Sequence, residues 1–356
     1  MDNQPDSKPP LNADVSMEAD AKAAPVEEKP KKKLGRILGC LAAFIIGALI
    51  AFFVDYRAVY DWILGFSYQP STEMSQTISN IELTGRGERI VKASFAELQN
   101  SEEFNQNCPN SATETSVLGC YYDWHIYVFN VDNAELDGIK EAVLAHELLH
   151  ADWQRERSWI KNELEPVLRE TYEQNKDTLA DHMKTYTAEN FVDELHSIIG
   201  TQIDVDKLPQ RLKEHYRSIF KNHAKVVAYY DQYNGKFTEL KREMEDLAAK
   251  IDQMKQQIEK KTADYRKKSE VLAEDISEFN RRASGSYYTS QWDFDRDRAA
   301  LVARQKNLDK DYKDLSDLVD KANEYVDKYN QKIAHSSELY RSINSNSIQK
   351  VEDPTK

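Results

Sequence analysis

Two stretches of apolar residues spaced alternately by three and four, separated by one glycine-containing break, commit a large part of this chain to a single shape. The first stretch carries Phe237, Leu240, Met244, Leu247, Ile251, Met254 and Ile258. The second carries Leu308, Tyr312, Leu315, Val319, Ala322, Val326, Tyr329 and Ile333. Such heptads wind helices into left-handed coiled coils. The break, SGSYYTSQ at 284–291, lies between arms of similar length. That symmetry predicts an antiparallel coiled-coil helical hairpin over 236–340, about 70 Å long for arms of about 50 residues. The charges along the arms read as solvated faces. The tip is aromatic for a turn, with Tyr287, Tyr288, Trp292 and Phe294. It reads either as a protein-partner point or as a small cap on the hairpin.

A second constraint is the run ILGCLAAFIIGALIAFFV, Ile37–Val54, which is 18 uncharged and mostly apolar residues. A helix needs about 20 such residues to cross a bilayer. Lys31, Lys32, Lys33 and Arg36 precede the run and Asp55 follows it. The positive-inside rule then predicts a transmembrane signal anchor at 34–55, contacting membrane through 37–54, with the N-terminus cytoplasmic and the rest outside. A cleaved signal peptide fits less well, because the run ends in AFFVDYRAVYDW rather than in small residues. A lipoprotein signal at Cys40 fails because the apolar region follows that cysteine. Residues 1–33 are rich in Pro, Ala and charge and predict a disordered cytoplasmic tail; 341–356 predict a second disordered tail. This topology would suit a bacterial cell membrane.

The cysteines agree with it. Cys40 falls inside the anchor. Cys108 and Cys120 fall outside, twelve residues apart, where an oxidising compartment permits a disulfide. A Cys-pair metal site has only His125 nearby and is the weaker reading. Net charge is −13, which argues against nucleic acid as a partner.

The chemistry lies in the region 56–235. Leu136–Ala151 reads LDGIKEAVLAHELLHA, with helical spacing of Ile139, Val143, Leu144, Leu148 and Leu149 and no proline. On a helix, His146 and His150 lie one turn apart on the same face, where two imidazoles can share a metal ion. Glu147 sits beside the first of them, placed to take a proton from a metal-activated water. The competing reading is a surface helix with two solvated histidines; the apolar flanks count against it.

His146-Glu147-Leu148-Leu149-His150 resembles the HExxH zincin metallopeptidases. The resemblance covers the motif helix and one further helix. It implies an α+β zincin-like domain, mostly helical, that binds Zn2+ and hydrolyses a peptide or protein substrate, with Glu147 as general base. The glycine and histidine of the metzincin pattern are absent after His150. The glutamate-type zincins take their third ligand from a later helix, and AENFVDELHSIIGTQ at 188–202 is the candidate. Glu194 is favoured as third ligand because it lies in the more apolar part; Glu189 is the alternative. Glu189 and Asp193 have the ExxxD spacing in which similar enzymes use the aspartate to orient a ligating histidine. His196 is a weaker metal candidate, and His182 reads as solvated. For the oxyanion, His215, Tyr216, Arg217 and His223 are candidates that the sequence does not rank.

Glu88–Phe95 and Tyr121–Val131 read as strands. In zincins a strand edge beside the motif helix aligns the substrate backbone. The function implied is a membrane-anchored, extracytoplasmic zinc endopeptidase. The alternative is a non-enzymatic cell-surface coiled-coil scaffold whose metal site is structural or vestigial.

Overall fold

The computed structural model describes residues 32–53, 56–108, 118–184, 186–188 and 190–346. The chain divides after Tyr56. Among the described residues the first unit contributes α1 (Lys32–Phe53). Among the described residues no helix is long and apolar enough to cross a membrane. The apolar run 37–54 reaches beyond them at its carboxyl end. Most of the tails expected at 1–33 and 341–356 also lies outside the described residues.

The second unit is mostly helical around a small sheet. It opens with α2 (Tyr56–Gly65), α3 (Thr72–Asn80) and α4 (Gly85–Ala93). Then come β1 (Glu97–Gln99), α5 (Ser101–Asn107), β2 (Gly119–Tyr122) and β3 (His125–Phe129). Helices α6 (Ile139–Arg155), α7 (Ser158–Gln174), α8 (Lys176–Met183), α9 (Phe191–Gln202) and α10 (Gln210–Arg217) follow. Two long helices, α11 (His223–Ala283) and α12 (Gln291–Ser342), complete the chain.

Local chemistry explains the helix starts. The hydroxyls of Ser71 and Thr84 accept from the amides of Met74 and Gly87 at the heads of α3 and α4. Asn100 and Glu103 form a reciprocal capping box on α5. The strand expected at 88–95 is therefore wrong: Glu88–Ala93 belongs to α4. Thr84 caps that segment, and its buried residues Gly87, Ile90 and Val91 follow helical rather than alternating spacing.

The expected strand 121–131 is also revised. It is two strands, β2 and β3, joined by Asp123 and Trp124, both at positive φ (48° and 66°). Two consecutive left-handed residues make the two-residue turn whose twist suits a hairpin. Strand order is β1-β3-β2, with β1 parallel and β2 antiparallel to β3. β2 is thus an edge strand, and the Cys108–Cys120 disulfide ties it to the end of α5.

The core lies between the sheet and the helices. Leu144, Leu148 and Leu149 of α6 meet Leu195, Ile198 and Ile199 of α9, with Leu164 and Leu168 of α7 and Leu212 of α10 around them. α6 starts after Gly138, whose φ of 89° favours glycine and whose missing Cβ would meet Tyr229 of α11 at 2.9 Å.

The C-terminal hairpin has the form its heptads predict, with corrected ends. α11 begins at His223, inside the compact body, so the expected boundary at 235/236 falls within one continuous helix. The second arm returns beyond 341: Leu339 and Ile343 are buried against Phe104, Phe129 and Leu240. The Ser345 carbonyl accepts from Ser101 and from Asn105 (3.2 Å). Along the arms, Lys268–Asp311 (2.6 Å), Arg304–Asp275 (2.5 Å) and Lys332–Glu243 (2.6 Å) pair across the seam. At the tip Phe279, Tyr288 and Phe294 pack together, while Tyr287 and Trp292 are exposed.

Candidate metal centre

Helical spacing on α6 places His146 and His150 one turn apart, with their Nε2 atoms 3.2 Å from each other. α9 packs across them and delivers Glu194. One of its carboxylate oxygens lies 3.4 Å from His146 Nε2 and the other 3.5 Å from His150 Nε2. Two bonds of about 2.0–2.1 Å at a tetrahedral angle separate their ligand atoms by about 3.3 Å. The three separations are close to that value, so His146, His150 and Glu194 form a group that could hold a metal ion. Asp193, beside Glu194, contacts His150 Nδ1 at 2.8 Å. A carboxylate on the outer nitrogen fixes the tautomer and leaves Nε2 as the donor atom.

His150 and Glu194 shift one another strongly. Burial would raise the Glu194 carboxyl, yet hydrogen bonds and charge from His146 and His150 hold it well below the usual carboxylate range. Burial would lower His150, but Asp193 and Glu194 raise it well above the usual imidazole range. Two carboxylates therefore favour positive charge at His150.

Glu147 points toward the opposite wall. Burial pushes its carboxyl up, with the two imidazoles drawing it partly back. Gly119 of β2 lies directly against it: a Cβ there would stand 2.7 Å from Glu147 Oε1 and 2.5 Å from Val143. Only glycine lets the edge strand approach the motif helix this closely. Together they line a cleft of about 500 Å³ that also presents Leu118, Tyr121, Tyr186, Asn190 and Tyr230.

Of the other residues singled out above, Glu189 lies outside the described residues. His196 is buried on the far side of α9, facing His215 rather than the cleft. His215, Tyr216 and His223 are packed into the core, and neither they nor Arg217 line the cleft. His182 is exposed, as its polar surroundings lead one to expect, and it also lines the cleft, with Tyr186, Tyr230 and Tyr233. Tyr230 and Tyr233 are three apart on the first turns of α11, a helical pair that the heptad reading of the hairpin passed over. The tyrosines that face the site are therefore not the ones nearest the motif in sequence.

The α6 framework is held from behind. Arg155 pairs with Asp61 of α2 (3.0 Å) and reaches the Tyr121 hydroxyl of β2 (3.1 Å). This ties the end of the motif helix to the strand that borders the cleft. Comparison with protein families, curated proteins and solved structures gives no match. The functional reading therefore rests on this geometry.

Proposed function

We propose that the chain is a zinc-dependent endopeptidase of the glutamate-type zincin kind. The observation that carries this reading is the His146, His150 and Glu194 triangle with Glu147 beside it in an open cleft. Two imidazoles and one carboxylate suit Zn2+ and leave a coordination position open to water. Bound zinc would supply Lewis-acid polarisation of water and of the scissile carbonyl.

The chain's own residues do the rest. Glu147 takes the proton of the attacking water and returns it to the departing amine as the C–N bond breaks. Its raised carboxyl suits a group that must both accept and donate near neutral pH. Asp193 keeps the His150 ring oriented. Among the described residues the outer edge of β2 pairs with no strand, and it offers backbone groups to an extended peptide lying between it and α9. Tyr121, Tyr230, Tyr233 and His182 line the cleft and are among the candidate donors to a developing oxyanion.

The disulfide supports an oxidising compartment. With the apolar run 37–54 preceded by basic residues, it supports an anchored protein whose second unit is extracytoplasmic. The exposed Tyr287 and Trp292 at the hairpin tip favour a protein partner there, as a scaffold would need.

The test is hydrolysis of a mixed peptide library by the full, zinc-loaded chain and its Glu147→Gln variant. Activity falls by about a thousandfold or more in the variant while zinc content is unchanged. Equal activity in the two removes Glu147 from the chemistry. A hairpin whose deletion abolishes the cellular role while peptidase activity survives favours the scaffold.

A further inference from the structure

Two residues beyond His150 on α6 is Asp152, and two residues beyond Glu194 on α9 is His196. A two-residue step moves a side chain to the other flank of a helix. The helices that present one His/carboxylate group to the cleft therefore present a second group to the core, where α10 adds His215. His196 Nε2 and His215 Nε2 are 2.8 Å apart. Asp152 Oδ2 lies 3.3 Å from His215 Nε2 and 4.0 Å from His196 Nε2. All three side chains are sealed from solvent, at 0%, 0% and 3% exposure.

We infer that Asp152, His196 and His215 form a second, buried metal site that binds a divalent ion of the Zn2+ type. The donor set is two imidazoles and one carboxylate, the same chemistry as in the cleft. Two further contacts orient the group, while His196 Nδ1 is buried without a partner. Asp152 Oδ1 accepts from Arg86 Nε (3.0 Å) and Nη2 (2.6 Å), which orients the carboxylate with Oδ2 turned to the imidazoles. Glu156, itself paired with Arg86, lies 3.9 Å from His215 Nδ1, on the outer side of that ring.

The competing arrangement is a proton shared between the two imidazoles. It satisfies both Nε2 atoms but leaves Asp152 Oδ2 fully buried, with only a poorly aligned 3.3 Å contact to His215 Nε2. An unsatisfied buried carboxylate oxygen is costly. An ion between the three atoms satisfies all of them at once. With no opening to a substrate, its role is to clamp α6, α9 and α10. Because His150 and Glu194 sit two residues away on the same helices, the clamp sets the spacing of the cleft ligands. The inference does not depend on the cleft being a peptidase.

The experiment counts zinc by elemental mass spectrometry in the full chain, purified in detergent, stripped, reloaded with Zn2+ alone and desalted. The wild type binds two ions per chain. His146→Ala/His150→Ala leaves the buried group untouched and retains one. Adding His215→Gln to that variant removes the last ion. One ion in both the wild type and the double variant would uphold the buried site while sinking the cleft site. No zinc in the double variant, with its helical circular dichroism intact, overturns the inference and leaves a shared proton. Zinc that persists after His215→Gln overturns it too, because the ion is then elsewhere. Should His215→Gln fail to fold, His196→Gln in the same double variant takes its place, with the same expected loss of the last ion.

Discussion

The body and the hairpin use the same residue classes in opposite ways. In the body, charged groups are drawn inside and converge: Glu147, Asp152, Arg155, Glu156 and Glu194 are all buried. In the hairpin, charges stay outside and pair across a thin apolar seam, where Met254, Leu272 and Leu308 are buried at wide intervals. Burying ionised groups is tolerated only where each has a specific partner. The body therefore has the hallmarks of a site, and the arms have those of a spacer. Stability should be concentrated in the first and spread thinly over the second.

That contrast can be broken in several places. The largest effect belongs to the body core. Leu149→Ala empties a fully buried position between α6 and α9 and should cost about 2–5 kcal/mol by chemical denaturation. Next is the Cys108–Cys120 disulfide, whose short loop is worth about 3 kcal/mol by loop entropy. Reduction should lower the melting temperature of the body and slacken β2 beside the cleft. Met254→Ala in the seam should fall at the low end of the core range, about 2 kcal/mol or less. If it matches Leu149→Ala, the arms are a true core and the contrast fails.

A smaller effect concerns pH. Burial lowers His223 below its usual range, and its Nε2–H donates to the Gly200 carbonyl (2.6 Å). The folded state therefore binds fewer protons than the unfolded state once pH drops through about 6.5. Stability associated with this group is present above that pH and is lost as pH falls. His223→Gln should shrink the drop in melting temperature between pH 7 and pH 5. An unchanged drop would place the acid sensitivity elsewhere. The smallest effect is at Lys268, exposed and paired with Asp311. Lys268→Ala should leave the melting temperature unmoved, since exposed pairs of this kind contribute little.

Much of the site was legible because it is local. The His146–His150 spacing depends only on one helix. Glu194 stood out as a carboxylate among Leu195, Ile198 and Ile199, and the structure brings it to the two histidines. The hairpin was legible for the same reason, since each arm repeats one short pattern. What escaped depended on chain reversals. ERIVKASF alternates well enough to pass for a strand, and the cap that makes it a helix is a single threonine upstream. The Asp123–Trp124 turn lacks the glycine that usually marks such a hairpin. The Asp152, His196 and His215 group draws on three helices, so no spacing in the sequence announces it.

The most direct test is diffraction at the zinc absorption edge from crystals of the zinc-loaded chain. An anomalous peak at the centre of the His146, His150 and Glu194 triangle, about 2.0–2.2 Å from each ligand atom, is the predicted result. A loaded crystal with no peak in the cleft would contradict the metallopeptidase account.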